Sequence, residues 1–211
     1  VVGHAYHNRG IDSRSLQPGD AFFAIKGDKM DGHDFVTAAA AAGAGLLVVA
    51  EAKLPALGRH AIPMVVVQDV LAALEKLGIA ARARSQAKVV AITGSAGKTS
   101  TKEAMRRALS PSGKVHASDK SFNNHWGVPL TLAKMSADCD FAIFEIGMNH
   151  PDEIRPLVKM VRPHVAIVTL IAPAHLGYFK NLDEIAAAKA EIFEGIEPGG
   201  TALVNRDDAR W

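Results

Sequence analysis

Cysteine, net charge and long apolar runs are nearly absent from this sequence of 211 residues. The single cysteine, Cys139, excludes an internal disulfide and fits a reducing compartment. A formal net charge of +2, from 24 basic and 22 acidic residues, is too small to indicate binding to nucleic acid or to a membrane surface. No apolar run approaches the roughly 18 residues of a spanning helix, and the first ten residues do not resemble a signal peptide. We therefore expect a soluble, cytoplasmic protein.

What the sequence does contain is a regular alternation of short apolar runs and helical patterns. A hydrophobic content of 48% is ample for a buried core, and the length fits one large or two modest domains. Such alternation predicts an α/β fold with mostly parallel sheets covered by helices. Strands are predicted at residues 21–25, 46–49, 64–67, 89–93, 141–146, 165–169 and 201–205, the second, third and fifth of them buried. Helices are predicted at 35–42, 99–109 and 182–196. Two more are predicted to begin at Asp69 and at Pro151, and Gly78 interrupts or ends the first of these two.

The clearest local motif is a glycine-rich loop between a predicted strand and a predicted helix. Gly94 and Gly97 allow a tight turn in which successive N–H groups point at phosphate oxygens. Lys98 adds a positive charge for the β- and γ-phosphates, and the Thr99 hydroxyl is placed to bind Mg²⁺. The strict motif has a further glycine where this chain has Ile92, so a glycine-rich turn with a solvated lysine remains the alternative. The candidate nucleotide-binding residues are Thr93, Gly94, Ser95, Ala96, Gly97, Lys98, Thr99 and Ser100.

Three other residues are candidates for chemistry. Glu145 ends an apolar strand, as the acidic metal ligand of a nucleotide site does, although a carboxylate facing water would show the same pattern. Lys189 falls on the apolar face of the helix predicted at 182–196, so either it extends past its neighbours to water or it is a neutral, reactive amine. His175 follows the strand at 165–169, where α/β sheets place ligands, although a lone loop histidine is more often structural.

Several motifs, taken together and in order, resemble one family, the Mur ligases. In the second half they are Thr93-Gly94-x-x-Gly97-Lys98-Thr99, Phe122-Asn123-Asn124-x-x-Gly127-Val128-Pro129, Glu145-Ile146-Gly147, Pro173-Ala174-His175-Leu176 and Ala188-Lys189-x-Glu191. In the first half they are Asp12-Ser13-Arg14, Pro18-Gly19-Asp20 and Lys26-Gly27-x-x-x-Asp31-Gly32-His33-Asp34-Phe35. Mur ligases are ATP-dependent, amide-forming enzymes of peptidoglycan precursor synthesis. The resemblance implies a nucleotide-sugar-binding α/β domain at 1–85, followed by a P-loop-type ATPase domain with a mostly parallel sheet at 86–211.

The resemblance also implies roles for individual residues around ATP. Lys98 would hold the ATP phosphates, and Asn124 would help to position the γ-phosphate and the substrate carboxylate. Thr99 and Glu145 would bind one Mg²⁺ and His175 a second. Lys189 matches a lysine that the family often carbamylates, which would make it an anionic oxygen ligand for a hard cation. The chain departs from its relatives at Leu170, where an Asn is frequent, so the contacts there are not carried over.

In the first half, the resemblance points to contacts with the UDP part of a UDP-MurNAc-peptide. Ser13 and Arg14 match best, while Lys26, Asp31 and His33 are weaker candidates. In the second half, Asn123 is a further candidate for contact with the substrate carboxylate. Three features favour the branch that adds D-alanyl-D-alanine to a UDP-MurNAc-tripeptide over the branch that adds a diamino acid. They are Lys102-Glu103, Gly147-Met148-Asn149-His150 and Pro173-Ala174-His175-Leu176.

The implied reaction uses ATP to convert the tripeptide carboxylate into an acyl phosphate, which the amine of D-alanyl-D-alanine then attacks. Family members carry a third domain and a longer N-terminus, so we expect these 211 residues to be a partial chain that does not complete ligation alone. Family precedent favours a monomer without nucleic-acid or membrane partners. Two other classes remain open: a general P-loop phosphotransferase or NTPase, and a module that binds nucleotide or UDP-sugar without turnover.

Overall fold

The computed structural model describes residues 9–27, 30–118, 121–173, 177–208 and 210, with the side chain of Arg9 left aside. The chain forms two compact units, Val1–Lys76 and Leu77–Trp211. Each contains a sheet whose paired strands all run parallel, which confirms the predicted α/β class. None of the helices in the described residues is long and apolar enough to span a bilayer.

The first unit has a four-stranded sheet of order β1-β2-β3-β4. Its strands are β1 (Arg9–Gly10), β2 (Ala21–Phe23), β3 (Leu46–Ala50) and β4 (Met64–Val67), and its helices are α1 (Val36–Ala41), α2 (Leu54–Leu57) and the start of α3 (Val70–Arg84). Phe22, Leu47 and Val49 are fully buried and form the core with Val36. The prediction that strand 64–67 is buried is wrong, because β4 lies at the sheet edge and leaves Val65 and Val66 more than 40% exposed.

The second unit has a five-stranded sheet of order β6-β7-β5-β8-β9. Its strands are β5 (Lys88–Thr93), β6 (Val115–Ala117), β7 (Phe141–Glu145), β8 (Val165–Val168) and β9 (Thr201–Leu203). Its helices are α4 (Lys98–Leu109), α5 (Gly127–Lys134), α6 (Ile154–Val161) and α7 (Leu182–Ala190), besides the end of α3.

The central strand β5 explains where a ligand would bind in this unit. Val89 and Ala91 face one buried cluster, while Val90 and Ile92 face another on the opposite side of the sheet. Burial on both faces accounts for the continuous apolar run, as is usual in a parallel sheet. The chain builds β6 and β7 on one side of β5, then β8 and β9 on the other. Such a reversal opens a crevice at the carboxyl ends of the strands, where α/β proteins bind ligands.

Three helix boundaries differ from those predicted. Helix α3 continues through Gly78, because the missing Cβ leaves room for the carbonyl of Pro129, which lies 3.0 Å from where that Cβ would be. Helix α6 begins at Ile154 rather than at Pro151, since Asp152 has a φ of +66° and precedes the helix in a turn. The helix predicted at 182–196 is α-helical only to Ala190 and ends as a 3-10 segment, Glu191–Gly195.

The sequence patterns also missed several short elements. β1, β6 and α2 have only two to four residues each, too few for a periodic pattern to appear. Helix α5 escaped detection because seven of its eight described residues, from Gly127 to Ala133, are buried, so its sequence has no polar face.

Candidate nucleotide and cation site

The glycine-rich loop connects the end of β5 with the start of α4, as predicted. Gly97 is the residue that precedes the helix and has a φ of +83°, a conformation that favours glycine. Gly94 is required for a different reason, because a Cβ there would lie only 1.9 Å from the Thr169 hydroxyl oxygen. The loop therefore brings the first N–H groups of α4 to the carboxyl edge of the sheet, where a helix N-terminus favours anions.

Hydroxyl groups fasten this loop to the segment after β8. Ser95 Oγ donates to the Ala172 carbonyl at 3.0 Å and accepts from the Ala172 N–H at 3.1 Å. Thr169 Oγ1 donates to the carbonyl of Ala96 at 2.6 Å. Sequence reasoning gave Thr169 no role; a hydroxyl residue directly after an apolar strand was the only available indication. The side chain of Ser95, a predicted nucleotide ligand, serves here to hold the loop.

The side chain of Lys98 folds back over the glycine-rich loop that precedes it. Its Nζ donates to the Gly94 carbonyl at 2.7 Å. Burial lowers the pKa of the Lys98 ammonium, while the negative charge of Glu145 acts in the opposite direction. A partly buried ammonium beside a helix N-terminus is suited to a phosphate group, because less hydration has to be removed when the anion arrives.

Glu145 ends β7 and is buried, with 1% of its surface exposed. Its Oε2 accepts a hydrogen bond from Thr99 Oγ1 at 3.1 Å. Its Oε1 has no hydrogen-bond partner among the described residues, although Lys102 Nζ lies 3.3 Å away. The alternative of a strand-end carboxylate facing water is therefore wrong. Instead, the buried carboxylate places Oε2 next to the Thr99 hydroxyl in the first turn of α4, while Oε1 faces Lys102.

This pair of oxygens fits a divalent cation. Mg²⁺ takes oxygen ligands in octahedral geometry at about 2.1 Å, which puts neighbouring ligands about 3 Å apart. The Thr99 hydroxyl and Glu145 Oε2 are 3.1 Å apart. Within the described ranges, no three His, Cys, Asp or Glu side chains are grouped to hold a metal. That also suits Mg²⁺, which often uses one or two protein ligands together with water and substrate phosphates.

Lys189 lies on α7 and is 2% exposed, as its place on the apolar face predicts. Burial, together with the nearby positive charge of Lys98, lowers the pKa of the Lys189 amine to about 8. The positive charge of Lys98 therefore acts on the Lys189 amine. His175, the other predicted metal ligand, lies outside the described residues.

The two predicted asparagines lie beside this edge of the sheet. Asn124 Oδ1 accepts from the Gly127 N–H at 2.9 Å and so supports the start of α5. Asn123 contacts the segment after Glu145, since its carbonyl accepts from the Gly147 N–H at 2.7 Å. A Cβ on Gly147 would lie 2.9 Å from Asn123 Oδ1, so glycine allows this close approach. Ser100 lies within the first turn of α4.

In the first unit, Asp31 organises a polar network. Its Oδ1 accepts from both the N–H of His33 (3.0 Å) and the ring Nδ1 (2.6 Å), and its Oδ2 pairs with Lys53 Nζ at 2.8 Å. His33 Nε2 accepts from the Ala50 N–H at 2.9 Å, so the ring proton must lie on Nδ1. Burial alone would raise the pKa of the Asp31 carboxyl, but the hydrogen bonds from Lys53 and His33 outweigh it and hold that pKa well below its usual range.

A cleft of about 350 Å³ opens beside this network in the same unit. Lys26 and His33, two of the predicted substrate residues, line it with Lys53 and Asp69. Lys26 also forms an isolated antiparallel bridge with Asp31, which holds the rim in place.

Ser13 and Arg14 lie apart from the residues that line this cleft, in a 3-10 turn, Ser13–Ser15, which Asp12 caps. The Arg14 guanidinium pairs with Asp12 at 2.9 Å and is 87% exposed. The hydrogen bond and charge of Asp12 raise the pKa of Arg14. The structure thus gathers Lys26, Asp31 and His33 and presents Arg14 to solvent.

Comparison with known proteins gives matches over nearly the whole chain. The family profile described as "Mur ligase family, catalytic domain" matches residues 5–82, and that of the "Mur ligase middle domain" matches residues 92–211. The UDP-N-acetylmuramoyl-tripeptide–D-alanyl-D-alanine ligase of Escherichia coli K12 is 40% identical over 200 residues, which cover 95% of this chain and 43% of that protein. The enzyme of the same name from Mycobacterium tuberculosis H37Rv is 36% identical, with 94% and 42% covered.

Two solved structures agree with these matches. A crystal structure of MurF from Acinetobacter baumannii has a TM-score of 0.83 at 38% identity, covering 97% of this chain and 44% of that one. MurF ligase from Thermotoga maritima, solved in complex with ADP, has a TM-score of 0.78 at 27% identity, with 96% and 46% covered. The chain thus spans less than half the length of the relatives that it matches.

Proposed function

The chain belongs to the Mur ligase family, and on that premise we propose that its protein uses ATP to join D-alanyl-D-alanine to a UDP-MurNAc-tripeptide in peptidoglycan precursor synthesis. The observation that carries the proposal is the Thr99–Glu145 pair beside the phosphate loop. It occurs in a chain whose relatives named above are D-alanyl-D-alanine ligases. The addition of a diamino acid is not favoured, because neither of those relatives carries such a name.

The second unit would bind ATP. The N–H groups of the loop from Thr93 to Ser100 and the Lys98 ammonium would hold the phosphates. Thr99 and Glu145 would hold Mg²⁺, with His175 and Lys189 as further ligands from the family pattern. When bound, the cation would offset the negative charge that the phosphoryl group carries during transfer. The ADP in the Thermotoga maritima structure supports nucleotide binding by this fold.

We further propose that Lys189 captures CO₂. Its neutral amine would attack the carbon of CO₂ and release one proton, which leaves a carbamate whose single negative charge is shared by two oxygens. Deep burial and a pKa of about 8 support this, because a substantial fraction of the amine is neutral near physiological pH. Intact-protein mass spectrometry in bicarbonate at alkaline pH should show an added CO₂ that Lys189→Arg lacks. An unmodified wild-type chain under these conditions would contradict the assignment.

Two transfers make up the proposed reaction. A carboxylate oxygen of the tripeptide attacks the γ-phosphorus, and the bond to ADP breaks to give an acyl phosphate. The amine of D-alanyl-D-alanine then attacks the acyl carbon, phosphate leaves, and the amine gives up a proton. The residues here would contribute orientation and charge: the loop and Lys98 would fix the phosphates, and Asn123 and Asn124 would help to position the carboxylate.

The first unit would bind the UDP part of the substrate. In this proposal the region 1–85 binds nucleotide-sugar and the region 86–211 binds ATP, in keeping with the two profile matches. Lys26 and His33 line the cleft and Asp31 holds His33 in place, while Ser13 and the exposed Arg14 would contact the diphosphate. We place the protein in the cytoplasm as a monomer, in keeping with its buried, unpaired Cys139.

An omission assay tests the proposed activity. The intact protein, rather than these 211 residues alone, is supplied with ATP, UDP-MurNAc-tripeptide and D-alanyl-D-alanine, and ADP release is measured as each component is left out in turn. Release should require the tripeptide, and the amide product should require both co-substrates. ADP release that persists without tripeptide and dipeptide would instead favour a general NTPase. An arm with a diamino acid in place of the dipeptide tests the other branch.

A further inference from the structure

Lys102 is a buried charge that the proposed reaction does not use. It lies on α4 with 1% of its surface exposed, the same degree of burial as Glu145. We propose that Lys102 is a positioning residue that keeps the cation site at Glu145 closed to free divalent ions until a nucleotide supplies its phosphates. The inference rests on the proposed function, which assigns a cation to Glu145.

The contacts of Lys102 converge on this carboxylate. Its Nζ donates to the Ser118 carbonyl at 2.7 Å, which fixes the end of the side chain. From there the ammonium is 3.3 Å from Glu145 Oε1 and 3.3 Å from Glu103 Oε1. An ammonium beside each of these acids partly neutralises both. The lysine therefore forms part of the site and also lowers the negative charge that the site offers.

The two oxygens of Glu145 have different neighbours. Oε1 faces Lys102, while Oε2 faces the Thr99 hydroxyl at 3.1 Å. Because the ammonium already lies on the Oε1 side, a cation can approach only from the Oε2 side. Lys102 thus selects which oxygen serves as the ligand and fixes the rotamer that presents it beside Thr99.

The charges in this arrangement make cation binding depend on nucleotide. A free divalent ion must give up water and approach a carboxylate whose charge is already partly offset, and the ion and the ammonium repel each other strongly at low dielectric. A cation bound to ATP arrives with phosphate oxygens that supply the missing negative charge. Lys102 should therefore make cation binding and nucleotide binding a single event.

Binding of Mn²⁺ to the nucleotide-free 211-residue chain, followed by electron paramagnetic resonance, tests this directly. Wild-type chain should bind Mn²⁺ weakly alone and at least about tenfold more tightly with a non-hydrolysable ATP analogue. Lys102→Met and Lys102→Gln should bind Mn²⁺ at least about tenfold more tightly than wild type without nucleotide. Lys102→Gln keeps a hydrogen-bond donor and removes only the charge, so it provides the test if Lys102→Met does not fold. Glu103→Gln is the matched control and should leave nucleotide-free binding weak.

Two further results locate the effect. The double variant Lys102→Gln/Glu145→Gln should lose the gained Mn²⁺ affinity, which shows that the ion is at Glu145. Wild-type chain that binds Mn²⁺ tightly at Glu145 without nucleotide would overturn the inference, as would uncharged variants that gain no affinity while wild type still responds to nucleotide. If wild type binds no Mn²⁺ even with the nucleotide analogue, the assignment of a cation to Glu145 fails, and this inference fails with it.

Discussion

Two carboxylates, one in each unit, show how differently an acidic side chain can be used. Asp31 has both oxygens engaged, by His33 on one side and Lys53 on the other. Glu145 Oε2 is bonded to the Thr99 hydroxyl, while Oε1 has no hydrogen bond among the described residues and lies 3.3 Å from the Lys102 ammonium. Oε2 therefore faces a neutral hydroxyl that can itself bind a cation, and Oε1 faces a positive charge. Asp31 therefore shapes its cleft, whereas Glu145 is available to a cation.

The largest effect in this comparison is expected at Glu145. Glu145→Gln keeps the size of the side chain but removes the charge, so the affinity of the chain for an ATP analogue with Mg²⁺ should fall about 100-fold. Calorimetric titration with and without Mg²⁺ measures this. Asp31→Asn is the matched control in the other unit and should leave ATP affinity unchanged. An equal loss in both variants would remove the distinction between the two acids.

The next effect tests the backbone that presents the phosphate site. Gly94→Ala should lower the free energy of unfolding by about 1–3 kcal/mol, because its Cβ would meet the Thr169 hydroxyl. Urea denaturation gives the value. Gly177→Ala is the control and should change stability little, since a Cβ at Gly177 has no atom of the described residues within 4 Å. Equal stability of the two variants would contradict the close packing of the loop.

A smaller effect, with a defined pH dependence, is expected at Lys189. Its pKa is lowered in the folded chain, so between about pH 8 and pH 10 the unfolded state binds more protons and wild-type stability rises with pH. Lys189→Met should be more stable than wild type by about 1–2 kcal/mol at pH 7, and this difference should shrink as the pH approaches 10. Denaturation in CO₂-free buffers measures it. A difference that stays constant with pH would mean that Lys189 is charged in the fold.

The smallest effect is expected at Asp31 and has the opposite pH dependence. Asp31→Asn should cost about 1 kcal/mol at neutral pH, through weaker bonds to His33 and Lys53. Since folding lowers the pKa of Asp31, its contribution is complete above about pH 4 and is lost as the pH falls further. Wild type and variant should therefore converge at acid pH. Melting temperatures measured from pH 7 down to about pH 2 should show the difference narrowing below about pH 4, and parallel curves would contradict it.

The phosphate loop, the strand-end acid and the buried lysine could be predicted because each depends on local sequence. Gly94, Lys98 and Glu145 lie next to apolar strands, and Lys189 follows the helical period. The fastening of the loop by Thr169 and the role of Lys102 could not be predicted, since both depend on groups far apart in sequence. In the first unit, Asp31 and His33 have no chemical motif of their own. Only the resemblance to a family pointed to them, and the network with Lys53 became visible with the fold.

The central claim is that Glu145 and Thr99 form a cation site that completes an ATP site, and one measurement tests it most directly. A crystal structure of this chain with Mn²⁺ and a non-hydrolysable ATP analogue would locate the ion by its anomalous signal. The ion should lie between Thr99 Oγ1 and Glu145 Oε2, with phosphates on the loop N–H groups. Nucleotide bound on the loop with the ion elsewhere, or nucleotide bound away from the loop, would contradict it.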